Sequence, residues 1–290
     1  MWPLRASLRA GLAFGKTREE KGQKWFEYIL PNWRRLTSVT FIIYPLLATH
    51  NHFVLGRGGI VCNPSAPVIQ LTEGAALKDH LALLGVLNSS VACFWLKQNS
   101  HNKGSTVDQS GARTTLDVWE NFYEISGTTL KEFPVPAGAT SDLAGSLDSY
   151  ARRLQQLTPS AIAAQQIPTA GVLESAREEH DRLRGLMIAL QEELDWQYYN
   201  IYGLVDEHLN LDGEVPGTAL GERAFEIALA RRMKTGEETT AWFDRHGSTP
   251  ITEIPEHLPA DYRDLVQRRL DVIASNPNIR VLERPEYKRR

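Results

Sequence analysis

Only two cysteines occur in 290 residues, Cys62 and Cys93, and each sits inside an apolar run. That usage argues against a disulfide framework and predicts reduced, buried thiols in a cytosolic protein. No signal peptide stands at the start, and no apolar run reaches membrane-spanning length. The expectation is a soluble, cytoplasmic protein without a membrane contact. Net charge is also scarce: 32 Lys and Arg against 35 Asp and Glu leave −3, which decides nothing by itself. No internal repeat is present.

The familiar catalytic signatures are missing as well. The Gly-rich stretch "GRGGIVCN" has neither a following helix nor a Lys-Ser/Thr pair, so it reads as a hairpin turn rather than a phosphate cradle. No Gly-x-Ser-x-Gly elbow exists. The eight histidines are scattered; His50 and His52 alternate as on a strand, and no partner stands at ligand spacing, so no metal site is expected. "CNPSAP" offers Asn63-Pro64-Ser65-Ala66 where adenine methyltransferases carry Asn-Pro-Pro-aromatic, and two small residues cannot stack on a base; it reads as a turn. An acidic-acidic-lysine cluster in strand context is absent too, which ranks a self-contained nuclease last. No catalytic residue is assigned to this chain.

What is present centres on Asp79–Arg113. Leu81, Leu84, Leu87, Val91, Phe94 and Trp95 recur at helical spacing, interrupted by Asn88-Ser89-Ser90, whose side chains compete for backbone hydrogen bonds. The spacing predicts one helix ending and a second being capped there. After Lys97 the apolar signal stops, and a long donor-rich polar loop runs to Arg113. That loop reads as the working surface. A basic flank precedes it: Arg5, Arg9, Lys16, Arg18, Lys21, Lys24, Arg34 and Arg35 face only Glu19, Glu20 and Glu27 in residues 1–36. Such a flank is compatible with phosphate contacts, although charge alone favours a solvated surface.

Around this centre the chain divides by pattern. The N-terminal stretch has no clean period, but Trp2, Phe14, Trp25, Phe26, Tyr28 and Trp33 give it much aromatic surface to bury. Thr40–Pro45, His52–Leu55, Gly59–Asn63 and Pro67–Leu71 are short β-type runs punctuated by Gly and Pro. Beyond Pro136, Leu143, Leu147, Tyr150, Leu154 and Leu157 form one heptad-like seam. Leu173, Ala176, His180, Leu183, Met187, Leu190 and Leu194 form another, ended by Gly203. This predicts an antiparallel helix pair acting as a spacer, with His180 as a packed core histidine. Two more amphipathic helices follow, the second through Tyr262, Leu265, Val266, Leu270 and Ile273. The basic end, "NPNIRVLERPEYKRR", is expected to be partly mobile. The predicted fold class is α+β: a small, mostly antiparallel sheet with packed helices, then the helix pair, then a small helical C-terminal region. The domain expectation is 1–137, 138–203 and 204–290.

Longer strings then carry a resemblance. The run from "FIIYP" to "PVIQL", the "LLGVLNSS" step and the closing "FPVP" resemble the target-recognition region of large adenine-specific DNA methyltransferases. "ATHNHFVL", "FWLKQNSHNKGSTVD", "TAWFDRHGSTPITEIP" and "ERPEYKRR" are similar to the PglX-type methyltransferases of phage-exclusion (Pgl, BREX) systems, and the resemblance covers nearly the whole chain. It implies the C-terminal portion of such an enzyme, with Met1 an internal or reassigned start. Catalysis and S-adenosylmethionine then belong to an upstream domain, and this chain alone holds no cofactor and is inactive. The implied partners are double-stranded DNA, the upstream methyltransferase domain and other defence-system proteins. By residue type, Asn102 suits adenine and Arg113 or Lys103 guanine in the major groove, while Lys97, Ser105, Thr106, Arg34 and Arg35 suit phosphates. The alternative class is a protein-interaction or scaffolding module, to be separated by asking whether DNA binding survives deletion of residues 138–290.

Overall fold

Short elements open the chain: a helix α1 (Arg5–Ala10) and a tight hairpin of β1 (Leu12–Ala13) and β2 (Lys16–Thr17). The computed structural model describes residues 2–27, 39–60, 62–107, 110–113, 115 and 117–289. These fall into two units, Met1–Val39 with Arg57–Val61, and Thr40–Gly56 with Cys62–Arg290. In the first unit the expected burial of aromatics is overturned for Trp2, Phe14 and Phe26, which are exposed, whereas Trp25 is half-buried between Trp2 and Phe26. A six-residue helix and a two-stranded ribbon offer too little surface to cover them. Tyr28 and Trp33 lie outside the described residues.

The second unit begins with β3 (Thr40–Ile43), β4 (Leu47–Ala48), β5 (Val54–Arg57), whose last residue is assigned to the first unit, and β6 (Val68–Ile69). β3 is central, in the order β5-β3-β6, and pairs antiparallel with β6. "GRGGIVCN" is therefore not the turn of a hairpin, because the strands it joins lie on opposite sides of β3. Gly56 is required for packing: a Cβ there would come within 2.4 Å of the Phe41 ring. Gly59–Asn63 forms no strand among its described residues, and Gly59 has φ +89°. Asn63–Ala66 is the expected turn, with the Ala66 N–H donating to the Asn63 carbonyl at 3.0 Å.

At the helical knuckle the sequence reading holds. α2 (Leu77–Leu87) ends before Asn88, α3 (Ser90–Asn99) starts after Ser89, and the two meet at a 66° bend. Ser89 Oγ accepts from the Ala92 N–H at 3.2 Å and donates to the Val86 carbonyl at 2.7 Å. Asn88 joins the knuckle to the sheet by exchanging two hydrogen bonds with the Phe53 backbone. Replacing Ser89 by alanine is therefore expected to cost about 1–2 kcal/mol, from the lost cap and the lost donor. Urea unfolding checks this; a change within about 0.5 kcal/mol of zero, the scatter of a neutral surface change, would contradict the capping role.

Apolar faces of the knuckle, including Leu84, Val86, Leu87 and Leu96, pack with Ile42, Tyr44, Phe53 and Leu55. A third small sheet adds β7 (His101–Gly104) and β8 (Phe122–Glu124), in the antiparallel order β4-β8-β7. α4 (Gly127–Lys131) closes this region, capped by Ser126 Oγ. Among the described residues three small sheets thus replace the single expected one, and the structure is 49% helical and 9% strand, an α+β fold.

α5 (Asp142–Gln156) leads through α6 (Pro159–Ala163) to the 32-residue α7 (Ala170–Ile201), and α5 packs along α7. α7 is no spacer. Leu194 and Tyr198 enter the core beneath the knuckle, while Trp196 and Tyr199 enter a second core with Tyr262, Leu265, Val266 and Leu270. A helix buried on opposite faces is interior rather than connecting. His180, expected in the core, lies half-exposed beside Asp181, because the first turns of α7 are largely solvated. Gly203, at φ +67°, ends the helix as expected.

α8 (Ala224–Lys234), α9 (Trp242–His246), α10 (Ala260–Ser275) and α11 (Pro277–Leu282) complete the second core and a third cluster around Trp119, Phe225, Trp242 and Phe243. The C-terminal tail is the largest departure from expectation. Pro285 and Lys288 are buried, and the tail packs against α3. Among the described residues no single helix is long and apolar enough to cross a membrane.

Candidate nucleic-acid interface

The polar loop leaves α3 as β7, the edge strand of its sheet, and pairs with β8 through His101↔Glu124, Asn102↔Tyr123 and Gly104↔Phe122. The register shift between Asn102 and Gly104 is a bulge at Lys103, a device that re-aims one side chain. Gly104 has φ +78°, a conformation that favours glycine. Its missing side chain also admits Arg113, whose guanidinium would lie 3.2 Å from a Cβ at that position. An antiparallel bridge between Val107 and Arg113 then folds the loop back on itself. Lys103 and Arg113 are thus brought to one exposed loop, carried on a rigid base.

Each expected contact residue has a definite place. Lys103 is exposed and ion-paired with Glu124 at 2.7 Å. Its hydrogen bond and charge hold the Glu124 carboxyl below its ordinary range. An exposed pair of this kind is weak, so Lys103 can exchange Glu124 for a phosphate or base at little cost. Asn102 is exposed, but its Oδ1 accepts the Gly104 N–H at 2.7 Å and shapes the bulge. Bidentate adenine reading needs that oxygen, so the expected pairing is not available to Asn102 as it stands. Thr106 and Arg113 are exposed. Ser105 is buried and donates to the Thr115 carbonyl at 2.9 Å, closing the loop rather than meeting a phosphate. Arg34 and Arg35 lie outside the described residues.

Lys97 corrects the reading most sharply. It is buried, its ammonium donates to the Glu286 carbonyl, and it stands over the Tyr123 ring at 5.2 Å. Burial pulls its pKa below the ordinary lysine value, against the charges of Cys93 and Glu286. Lys97 thus ties the loop's base to the tail. Beside it, His50 bonds to the Pro285 carbonyl at 3.1 Å, and burial, then the charge of Lys97, hold its pKa well below normal. The periodicity of the loop gave no sign of this strap, since its other half is some 189 residues away in sequence.

The strap is anchored on an acidic strip of α7. Lys288 Nζ meets Asp195 at 3.0 Å, Tyr199 at 3.0 Å, and Glu283. Arg289 donates to Asn88 at 2.9 Å and to Gln191. Arg269 binds Glu193 at 2.6 Å and the Leu209 carbonyl at 2.8 Å, and Arg223 binds Glu226 at 2.8 Å. Among the described residues, no group of three or more His, Cys, Asp or Glu side chains is arranged to hold a metal. The Asn63–Ala66 turn does not fit an adenine clamp either, because Asn63 Oδ1 is turned onto the Ser65 N–H at 3.0 Å.

Comparison with known proteins decides the family. Over 302 aligned residues the chain is 46% identical to the adenine-specific methyltransferase PglX of Streptomyces coelicolor, covering all of this chain and the C-terminal 24% of that protein. The chain is a C-terminal PglX-type part. It spans about a quarter of the length of that relative. A family model described as a domain of unknown function (DUF7008) matches residues 187–290. That segment of the PglX-type part coincides with the ionic core, from the acidic strip of α7 to the tail. No solved structure matches the chain.

Proposed function

We propose that this PglX-type part reads duplex DNA for an adenine-specific methyltransferase of a phage-defence system. The observation that carries the reading is the bulged edge hairpin, which presents Lys103 and Arg113 on one loop and is pinned from beneath by Lys97 and the tail. Recognition needs side chains held in place by a rigid support, and this loop has one. Lys103 and Arg113 are the base- or phosphate-contacting residues, Thr106 an accessory one, and Arg34 and Arg35 further phosphate contacts. Asn102, Ser105 and Lys97 serve to shape and position the loop. Methyl transfer and S-adenosylmethionine belong to the remainder of a PglX-type protein, which supplies the adenine site.

The test is fluorescence anisotropy of the 290-residue chain on labelled duplex across a salt series. Weak, salt-sensitive binding is expected. Lys103→Ala and Arg113→Ala each lower the salt slope by about one unit if the lost contact is a phosphate, or cost about 1–3 kcal/mol in a sequence-dependent way if it is a base. Thermal stability stays unchanged, because both residues are exposed. Wild-type affinity in both variants would shift the surface to Arg34 and Arg35. The same preparation is expected to transfer no labelled methyl group from S-adenosylmethionine, and transfer would reveal a catalytic site in this part.

A further inference from the structure

The N-terminal unit holds a feature that the loop reading leaves unused. β1 and β2 are joined by Phe14-Gly15, with Ala13 opposite Lys16. Both turn residues have positive φ, +53° for Phe14 and +75° for Gly15, as a two-residue hairpin turn of the primed type demands. Gly15 meets that demand without strain. Phe14 does not, and it is the only non-glycine residue with positive φ among the described residues. The position suits Asn, Asp or Gly; a phenylalanine there strains the backbone to place an aromatic ring at an apex, where it is 88% exposed.

Cations outnumber carboxylates in the described part of this unit, and two lysines lie closest to the apex. Lys21 Nζ lies 5.5 Å from the Phe14 ring, and Lys16 is exposed on the adjoining strand. The acidic residues of the unit are engaged at the surface: Glu19, exposed, is paired with Arg9 at 2.7 Å, Glu20, exposed, accepts the Thr17 N–H at 2.6 Å, and Glu27 accepts the Lys24 N–H at 3.0 Å. An apolar ring on a narrow hairpin, flanked by lysines, has the shape and charge of a wedge for a base step: the ring enters the stack while the cations meet the phosphates on either side.

We infer that Phe14 is a DNA wedge, with Lys16 and Lys21 as its phosphate contacts. The inference rests on the DNA reading above and deepens it. An adenine taken out of the helix for methylation leaves a gap in the stack, and an inserted aromatic ring fills such a gap.

The experiment uses the full chain and duplexes carrying 2-aminopurine at successive positions, whose fluorescence rises on unstacking. The wild-type chain is expected to raise the signal at one or two adjacent positions. Phe14→Asn suits the left-handed turn, so the hairpin is retained; it is expected to abolish the rise and weaken binding by about three- to tenfold, with the salt slope unchanged. Phe14→Trp is expected to keep the rise. Lys16→Ala with Lys21→Ala is expected to lower the salt slope by about two units. Duplex binding with a full 2-aminopurine rise in Phe14→Asn would overturn the wedge and leave the DNA reading standing. Failure of the wild-type chain to bind any duplex would overturn both. Loss of binding to anionic vesicles of phosphatidylglycerol in Phe14→Asn, with duplex binding unaltered, would assign the apex to a membrane surface and overturn the wedge.

Discussion

Replacing Arg269 by leucine is expected to destabilise the chain by about 3–5 kcal/mol, the cost of removing one partner from a buried ion pair. Arg269 is fully buried, 2.6 Å from Glu193 and 3.7 Å from Glu192, and it also donates twice to the Leu209 carbonyl. Its loss strands the Glu193 carboxylate, and Glu192 wherever that group is ionised, in an apolar core beside Trp196 and Tyr262. Against a typical domain stability of about 5–15 kcal/mol, this is a large fraction. Adding Glu193→Gln is expected to restore part of it, since the amide oxygen can still accept the Leu211 N–H that Glu193 now binds at 3.0 Å. Urea unfolding of both variants measures the coupling. A single-variant cost under about 1 kcal/mol, or a double variant worse than additive, would contradict the assignment of Arg269 as the counter-charge of the acidic strip.

The effect is expected to reach the candidate interface. Arg269 steadies the part of α7 that also holds Lys288 through Asp195, and the tail just before it, at the Glu286 carbonyl, accepts from Lys97 beneath β7. The segment matched by the family model therefore acts on the loop through a chain of packed, hydrogen-bonded side chains rather than as a separate module. This is also why the deletion of residues 138–290 cannot separate recognition from scaffolding: it would remove Leu194 and Tyr198 from the core on which the loop is built.

How much of this was legible in the sequence depends on the range of the interaction. The knuckle was readable because Asn88, Ser89 and Ser90 act within a few residues, and the helices of the C-terminal half because their apolar stripes repeat locally. Gly203 and the Asn63–Ala66 turn are local in the same sense. The tail's basic composition suggests exposure, and Lys288 looks like a solvated lysine until Asp195 and Glu283 are brought to it. Lys97 misled for the same reason, its partner being a backbone carbonyl that no side-chain pattern signals. In the loop, Lys103 and Arg113 were legible as residue types, whereas the bulge that aims Lys103 depends on pairing with Tyr123 and Glu124. Phe14 reads as core because it is aromatic, yet it is 88% exposed at the apex of a two-residue turn.

The acidic strip also makes stability depend on pH, in a direction that can be worked out. Among the described residues from 187 on, five carboxylates are buried (Glu192, Glu193, Asp195, Glu226 and Glu283) against three buried cations, Arg223, Arg269 and Lys288, with Arg289 as a fourth, half-buried one whose charge acts on Asp195. With too few cations, one carboxyl is best left protonated. Burial pushes Glu192 up to about 7, opposed by the charge of Arg269 and reinforced by that of Glu283. In the unfolded chain a glutamate titrates near its ordinary value, about 4.3. Between these values the folded state binds the extra proton, so this contribution is complete below the unfolded value and is lost as pH rises through about 7. The whole contribution is on the order of 3 kcal/mol. Buried His50 works the other way: its depressed pKa makes stability fall as pH drops below the ordinary histidine value, so the raw profile mixes the two. The difference between the wild-type chain and Glu192→Gln isolates the first. The glutamine keeps an acceptor for the Ala224 N–H, which Glu192 binds at 2.8 Å, and it cannot titrate. The stability advantage of wild type over Glu192→Gln is expected to shrink steadily from about pH 4.5 to about pH 7 and then level off. A difference that is flat across that window would show that Glu192 is ionised throughout, and that Arg269 alone suffices to hold it so.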